Sequence, residues 1–325
     1  MKPALKSNQT PICPKCGYDQ SGEIATWELE CPLEGQCPEC GLGFAWADLL
    51  DPSRVDLGWY IEHAKGPWGL IKRTVPTLSR MLIPNLFWKR VGVNTRIRLR
   101  MLMCWWVLIF GVFHFVTSFA LLVGVVASEW VGSTRGLWSL RPGLGIRPPE
   151  SSFLEYAKSQ DAWFWFGHVW GCISHPFHYS VTYISEMAEG AVGAVHVAGG
   201  FCVLWAVVMG VVPTTRRLAM LRLAHVLRAL FLALVLVSIA YQLGRMFDAA
   251  TLISMYIFRS RSLWTGGGFV FAVFMLLMLL WTQWFWITAI RVGWTIRPSW
   301  ILIVLGSVAS LLGGSITLLV IELYI

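Results

Sequence analysis

The sequence predicts an all-α fold, a polytopic membrane helix bundle of about five transmembrane helices preceded by a small amino-terminal cysteine module. The first observation is composition: 56% of the 325 residues are hydrophobic and 14% are charged, against about 25% charged in a typical soluble domain. The others are a series of long apolar stretches and two matching cysteine pairs. Intrinsic disorder is excluded because disordered chains are poor in apolar residues. Eight cysteines are too sparse for a secreted disulfide scaffold.

Five apolar stretches are long enough to cross a bilayer, whose hydrocarbon core of about 30 Å takes about 20 helical residues. They cover residues 101–127, 190–212, 226–243, 267–290 and 300–323. Tryptophan and tyrosine lie at several of their ends, as expected for an aromatic belt at the two bilayer interfaces. We therefore expect one transmembrane helix at 101–127 and four more within 190–325.

The charge distribution predicts the orientation of these helices. Residues 1–60 carry a net charge of −5, residues 61–101 carry +8, residues 128–189 carry −2, and the link at 213–228 carries +4. Short cytoplasmic flanks collect lysine and arginine. We therefore expect a cytoplasmic amino terminus, with no signal peptide before it, and a carboxyl terminus outside an inner membrane.

Residues 61–100 read as a basic juxtamembrane interfacial segment. Pro67, Pro76 and Pro84 are expected to cut it into short pieces that lie on the inner leaflet. Its apolar side chains would enter the interface while its cations meet anionic headgroups. The alternative is that these cations only follow the positive-inside rule and recognise no particular lipid.

The amino-terminal module, residues 1–60, has two matching pairs of the form C-P-x-C-G with 20 residues between them. The four predicted metal ligands are Cys13, Cys16, Cys37 and Cys40. This spacing is typical of a zinc ribbon, in which four thiolates at about 2.3 Å surround tetrahedral Zn²⁺. A segment this short cannot bury enough apolar surface to fold alone, so zinc is expected to supply its folding energy. Two disulfides are the alternative, which a reducing compartment disfavours.

The predicted zinc site is structural, because a closed shell of four thiolates leaves no position for a substrate water. Cys31 is expected to be a bystander, since its spacing to Cys37 fits a knuckle poorly. Many zinc ribbons bind nucleic acid, but a phosphate-binding surface should be basic and this segment is acidic. We therefore expect a protein partner, or a purely structural role, in place of nucleic acid.

Several motifs resemble a group of uncharacterised bacterial multi-span membrane proteins that open with a CPxCGYD-type zinc ribbon. The motifs are CPKCGYD, CPECG, DPSR, WYIEHA and FWKRV, with the later PTTRRLAMLRLAHVLRA. This chain has Gln20-Ser21-Gly22 after Asp19, where that group usually has Leu-Arg-Gly. The topology is more distantly similar to the Yip family, which implies a role in membrane organisation or trafficking. The resemblance implies no functional residues beyond the four thiols.

A second group of metal-ligating side chains falls in the predicted outer loop at 128–189, which is rich in aromatic and histidine residues. It consists of His168, Cys172, His175 and His178. On one helix His168, Cys172 and His175 would share a face, with His178 at its margin, and this stripe could bind a second metal. Pro176 would break that helix, however, and the alternative is an amphipathic segment at the outer membrane surface. Whether 151–189 enters the membrane is left open.

The sequence has no P-loop, H-E-x-x-H or G-x-S-x-G motif, and we expect a non-enzymatic protein. The preferred hypothesis is an integral membrane protein whose cytosolic zinc ribbon docks a partner or rigidifies the amino end. The alternative is a transporter or metal-handling protein that uses the histidine-rich outer segment. A membrane-tethered regulator that binds nucleic acid through the ribbon is the third hypothesis.

Overall fold

The computed structural model is mostly helical and divides into two compact units. The described residues are 10–28, 31–134, 162–163, 165–166, 185–213, 219–258, 262–297 and 299–324. The first unit contains Met1–Val107, Gly199–Leu236 and Leu279–Thr317. The second contains Leu108–Ala198, Val237–Met278 and Leu318–Ile325.

The first unit begins with a small head of short elements. They are α1 (Ser21–Ala25), β1 (Glu34–Gln36), β2 (Gly43–Ala45) and α2 (Trp46–Leu50). The two strands pair antiparallel, with Glu34 opposite Ala45. Trp46 is buried at the centre of the head, and its ring makes edge-to-face contacts with Trp27 at 4.7 Å and Phe44 at 5.0 Å between centroids. This aromatic cluster is small for an independent core, consistent with a head that needs a further source of stability.

Two helices follow the head, α3 (Gly66–Met81) and α4 (Pro84–Arg90). Pro67 lies in the first turn of α3 and Pro84 in the first turn of α4, where the missing N–H costs nothing. The prediction that Pro76 would divide this segment is wrong, because α3 continues through it. One side of α3 is buried against the rest of the unit, which offsets the hydrogen bond that Pro76 cannot donate.

The apolar stretches form long helices. These are α5 (Leu99–Thr134), α6 (Ser185–Gly210), α7 (Leu223–Phe258), α8 (Ser262–Thr288) and α9 (Ser299–Tyr324), with a π turn (Ala289–Gly293) after α8. Within the described residues, four windows are long and apolar enough to cross a membrane, at Leu99–Gly124, Leu223–Gly244, Leu276–Gly293 and Ser299–Ile316. The second predicted stretch, 190–212, forms helix α6, whose described apolar part, Val197–Gly210, is shorter. The structure therefore supports four candidate spans, and the fifth stays a prediction.

Close helix packing within the first unit depends on two glycines of α9. A Cβ atom at Gly306 would overlap the ring of Trp205, and one at Gly313 would lie 2.5 Å from Leu204. Both partners belong to α6. Small residues are common at such positions because they let apolar helices approach closely inside a bilayer.

Candidate metal centre

The structure brings the four predicted ligand cysteines together. Their sulfur atoms all lie within 4.8 Å of one another. The Cys13 and Cys40 sulfurs are 3.7 Å apart, and the Cys16 and Cys37 sulfurs are 3.6 Å apart. A tetrahedron with metal–sulfur bonds of about 2.3 Å has edges of about 3.8 Å. The four thiols therefore fit a tetrahedral metal ion, although the geometry alone does not identify the metal.

The two knuckles have the same local backbone structure. In the first, the Gly17 N–H donates to the Cys13 carbonyl at 3.0 Å, and in the second the Gly41 N–H donates to the Cys37 carbonyl at 2.9 Å. Gly17 and Gly41 have φ angles of +85° and +65°. Glycine adopts this left-handed conformation at no steric cost, which is why it follows each cysteine pair.

Burial and hydrogen bonding shift the pKa values of three of the four thiols. Burial raises the pKa of Cys40 to about 11 and raises the pKa of Cys16 above its usual value. Burial also acts to raise the pKa of Cys37, but backbone N–H groups of Cys40 and Glu39 donate to its sulfur, and that pKa falls below its usual value. Four thiolates this close repel one another, and a divalent cation would remove that repulsion. Cys31 is exposed and lies outside the four-sulfur group.

The first knuckle is docked on the start of α7, within the same unit. The Pro14 carbonyl lies 2.7 Å from Nε2 of His225, and the Lys15 carbonyl accepts the Arg222 backbone N–H at 2.8 Å. The aliphatic part of the Arg222 side chain would contact a Cβ at Gly17 at 3.5 Å. Because a carbonyl only accepts, Nε2 of the buried His225 carries the proton. The loop between the first two cysteines is thus bound to a candidate membrane helix.

A buried ion pair connects the segment after the head to the same helix. Both Glu62 and Arg228 are fully buried, and two parallel hydrogen bonds of 2.8 and 2.9 Å join the guanidinium to the carboxylate. Arg228 also donates to the carbonyls of Thr95 at 3.0 Å and Arg96 at 2.7 Å. Buried charges are tolerated when they are paired and hydrogen-bonded in this way.

Two further donors form hydrogen bonds to the Glu62 carboxylate. The Tyr60 hydroxyl donates to Oε1 at 3.0 Å, and the Arg98 backbone N–H donates to Oε2 at 2.9 Å. Burial, followed by the charge of Glu62, raises the pKa of Tyr60 well above its usual value, so the phenol stays protonated. With two contacts from Arg228, the carboxylate accepts four hydrogen bonds, the arrangement expected of a structural anchor.

His63, next to this anchor, is held in its neutral form. Its Nδ1 accepts the Leu57 backbone N–H at 2.7 Å, which requires that atom to be unprotonated, and Nε2 lies 3.3 Å from the Arg96 carbonyl. Burial lowers the pKa of His63, although Asp56, 3.4 Å from Nε2, acts to raise it. The hydrogen bond from Leu57 and the burial of the ring both favour the neutral imidazole. We therefore assign a neutral His63 that forms no ion pair with Asp56.

The second predicted metal group lies outside the described residues. This applies to each of its members, His168, Cys172, His175 and His178. The hypothesis of a metal-handling outer segment therefore stays a prediction.

Sequence reasoning did not find the pairing of Glu62 with Arg228. Two signals marked the residues as unusual individually, although neither marked their pairing. Arg228 lies inside an apolar window that begins at Leu223, where an unpaired charge would be costly. Glu62 is the single acid in the strongly basic 61–101 segment. Glu62 and Arg228 were counted only as charges that set the membrane orientation, so their ion pair was missed.

No protein-family model, curated protein or solved structure matches the chain. The resemblance to bacterial ribbon-bearing membrane proteins and to the Yip family therefore stays a prediction. Two of its motifs, WYIEHA and the segment ending in LRLAHVLRA, contain the residues that form the Glu62–Arg228 pair.

Proposed function

We propose that this chain is a non-enzymatic integral membrane protein with a cytosolic, structural zinc ribbon and a membrane-organising or partner-docking role. In this proposal five transmembrane helices leave the amino terminus in the cytoplasm and the carboxyl terminus outside an inner membrane. Chemical labelling of the two termini from either side of the membrane tests this orientation. The observation that carries the proposal is the four-sulfur group at tetrahedral spacing. In the described residues, no other group of histidine, cysteine or acidic side chains meets the same geometry.

Zinc is the metal that best fits these ligands. Four soft thiolates in a tetrahedron select Zn²⁺ or an iron–sulfur centre among common metals. A ribbon of this size typically depends on Zn²⁺ for folding, and a four-thiolate zinc site is closed to substrates. These properties support a structural role for the site and no catalytic one.

Metal content tests the site directly. We expect purified full-length protein to contain one zinc per chain, and to lose it when Cys13→Ser and Cys40→Ser are combined. Cys31→Ser is the matched control, because its thiol is exposed and outside the group. Zinc that survives the double variant, or that is lost in His168→Ala with His175→Ala, would favour the metal-handling hypothesis instead.

The surface of the second knuckle supports the partner-docking role. Its turn residues Pro38 and Glu39 are exposed, whereas the corresponding turn of the first knuckle is bound to α7. Leu33, just before β1, is also exposed. An acidic surface with one apolar side chain suits a basic protein partner. The Pro38–Glu39 turn is therefore open to solvent, whereas the carbonyls of the corresponding Pro14–Lys15 turn are bound to the start of α7.

Affinity capture tests this role. A protein captured by the full chain in native detergent should be lost in Leu33→Ser with Glu39→Lys, which leave all four ligands in place. The control is Ser21→Ala, on the exposed start of α1. Capture that persists in the Leu33 and Glu39 variant, with zinc retained, would contradict docking at the second knuckle.

A further inference from the structure

Helix α3 has three distinct faces, of which the packing of the unit uses one. Leu70, Thr77 and Met81 are buried and recur at helical spacing, and the Thr77 hydroxyl donates to the Trp59 carbonyl at 3.0 Å. These contacts place one side of α3 against the remainder of the unit. The other two faces are exposed and differ from each other in chemistry.

The second face is apolar and exposed. Trp68 is 65% exposed, Val75 is 72% exposed, and Ile71 lies between them on the same side of the helix. Apolar exposure continues through α4, where Leu86 is 58% exposed. A surface helix of a soluble domain normally presents polar residues to water, so this side is expected to contact something apolar.

The third face is basic and borders the apolar one. Lys72 lies beside it on α3, Lys65 immediately precedes that helix, and Lys89 and Arg90 are exposed at the end of α4. The Lys72 ammonium lies 5.6 Å from the centre of the Trp68 ring. Apolar side chains flanked by exposed cations are the pattern of a helix that lies in the plane of an anionic membrane surface.

We propose that α3 and α4 form an interfacial elbow that binds anionic phospholipid, with its apolar face at the headgroup–acyl boundary and its cations on the headgroups. This goes beyond the proposed function, although it rests on the membrane placement proposed there. The elbow ends at Arg90, and the first candidate span begins at Leu99. Nine residues reach about 30 Å when extended, so the elbow lies within reach of the bilayer that this span crosses.

Charge distinguishes this occupant from a protein partner. The 61–101 segment carries a net charge of +8, and its lysines lie directly beside the apolar face. Protein–protein interfaces are depleted in lysine, whereas anionic leaflets attract juxtamembrane lysine and arginine. The observed composition therefore favours phospholipid over a second protein surface.

Site-specific photocrosslinking in proteoliposomes tests the elbow. The photoreactive residue p-benzoylphenylalanine replaces Val75 or Leu86 in the full chain, and lipid adducts are measured by mass spectrometry in equimolar phosphatidylcholine and phosphatidylglycerol. The exposed Asn85 of α4 is the matched negative position, and the exposed Val107 of the first candidate span is the positive one. We expect lipid adducts at Val75, Leu86 and Val107, and few at Asn85.

The outcomes separate this inference from the proposed function. Adducts at Val107 without adducts at Val75 or Leu86 would overturn the elbow and leave the membrane placement intact. Absence of adducts at Val107 would overturn the membrane placement itself. Crosslinks from Val75 and Leu86 to protein instead of lipid would assign this face to a protein partner and also overturn the elbow.

The headgroup preference has its own control. Each cation near an anionic surface is worth about a fivefold change in binding, so Val75 adducts should be several-fold enriched in phosphatidylglycerol over Val107 adducts. Lys72→Gln with Lys89→Gln should remove that enrichment without lowering the total adducts at Val75. Arg54→Gln, an exposed cation of the head paired with Asp48, should leave the enrichment unchanged. Equal headgroup composition at Val75 and Val107 in the unaltered chain would contradict recognition of anionic lipid.

Discussion

The two knuckles of the four-cysteine group have nearly the same sequence and backbone but different surroundings. The first reads C-P-K-C-G and the second C-P-E-C-G. The carbonyls of Pro14 and Lys15 are bound to the start of α7, whereas Pro38 and Glu39 at the corresponding positions are exposed. The four-cysteine group therefore joins a loop that is held by a candidate membrane helix to a loop that faces solvent.

This difference shows how the metal site and α7 can affect each other. The first knuckle is expected to fold only around its metal, and the folded loop presents the two carbonyls that α7 binds. Binding of metal and docking of the helix are then thermodynamically linked, and each must strengthen the other by the same factor. The second knuckle would bind the same metal but has no such contact with α7, so it should depend on α7 only indirectly, through that metal.

Metal removal is the strongest way to test this comparison. A chelator should unfold both knuckles, because apparent zinc binding supplies about 10–16 kcal/mol in comparable modules. Hydrogen exchange should then become fast at Gly17 and Gly41, whose N–H groups close the two turns. The Arg222 amide should also lose protection, since its acceptor is the Lys15 carbonyl, while amides deeper in α7 stay protected. An Arg222 amide that stays protected without metal would show that docking does not need the folded knuckle.

The buried ion pair should be the second largest contribution to the docked arrangement. Glu62→Gln leaves the Arg228 guanidinium buried without a counter-charge, which typically costs about 3–5 kcal/mol of unfolding free energy. The measurement is denaturant unfolding of the detergent-solubilised protein with zinc present. The matched control is Asp48→Asn, because the Arg54–Asp48 pair at 3.5 Å is exposed and should contribute about 0–1 kcal/mol. Equal effects of the two substitutions would mean that the interior pair is solvated.

Local patterns in the sequence predicted the parts of this molecule that depend on neighbouring residues. The spacing within the two cysteine pairs predicted which four sulfur atoms the structure brings together, because each pair lies within one short turn. The length of the apolar stretches predicted helices that the structure contains at all five places, although four meet the length and composition of a span among the described residues.

Contacts between distant segments were not predictable in the same way. Glu62 and Arg228 are 166 residues apart, and no local pattern indicates which acid pairs with which arginine. The docking of His225 on Pro14 spans 211 residues and uses a backbone carbonyl, which leaves no trace in residue type. Pro76 was misjudged for a related reason, since the packing that keeps α3 continuous comes from outside the helix.

A third prediction compares the glutamines of the head. Gln20, after the first knuckle, is fully buried, and neither Oε1 nor Nε2 of its amide has a hydrogen-bond partner among the residues that the structure describes. Gln36, before the second knuckle, is exposed and donates to the Gly41 carbonyl at 3.3 Å. Gln20→Leu should therefore stabilise the zinc-loaded head by about 1–3 kcal/mol, the typical cost of a buried unpaired polar group. Gln36→Leu should be neutral or slightly destabilising when both are measured by the same unfolding experiment. A destabilising Gln20→Leu would indicate a partner for that amide.

The smallest expected effect is the most specific test of the linkage. His225→Phe keeps an aromatic ring in place but removes the donor to the Pro14 carbonyl, a loss of about 1 kcal/mol. If docking and metal binding are linked, the zinc dissociation constant should rise about fivefold, although His225 is not a ligand. Competition with a chromophoric chelator measures this dissociation constant.

Two control variants should leave the zinc dissociation constant unchanged. They are Leu223→Ala, at an exposed residue of the same turn, and Glu39→Gln, at the second knuckle. If the zinc dissociation constant changes equally in all three variants, the cause is general destabilisation and the linkage is contradicted. A change confined to His225→Phe would show that the docked first knuckle, and not the exposed second one, is linked to α7.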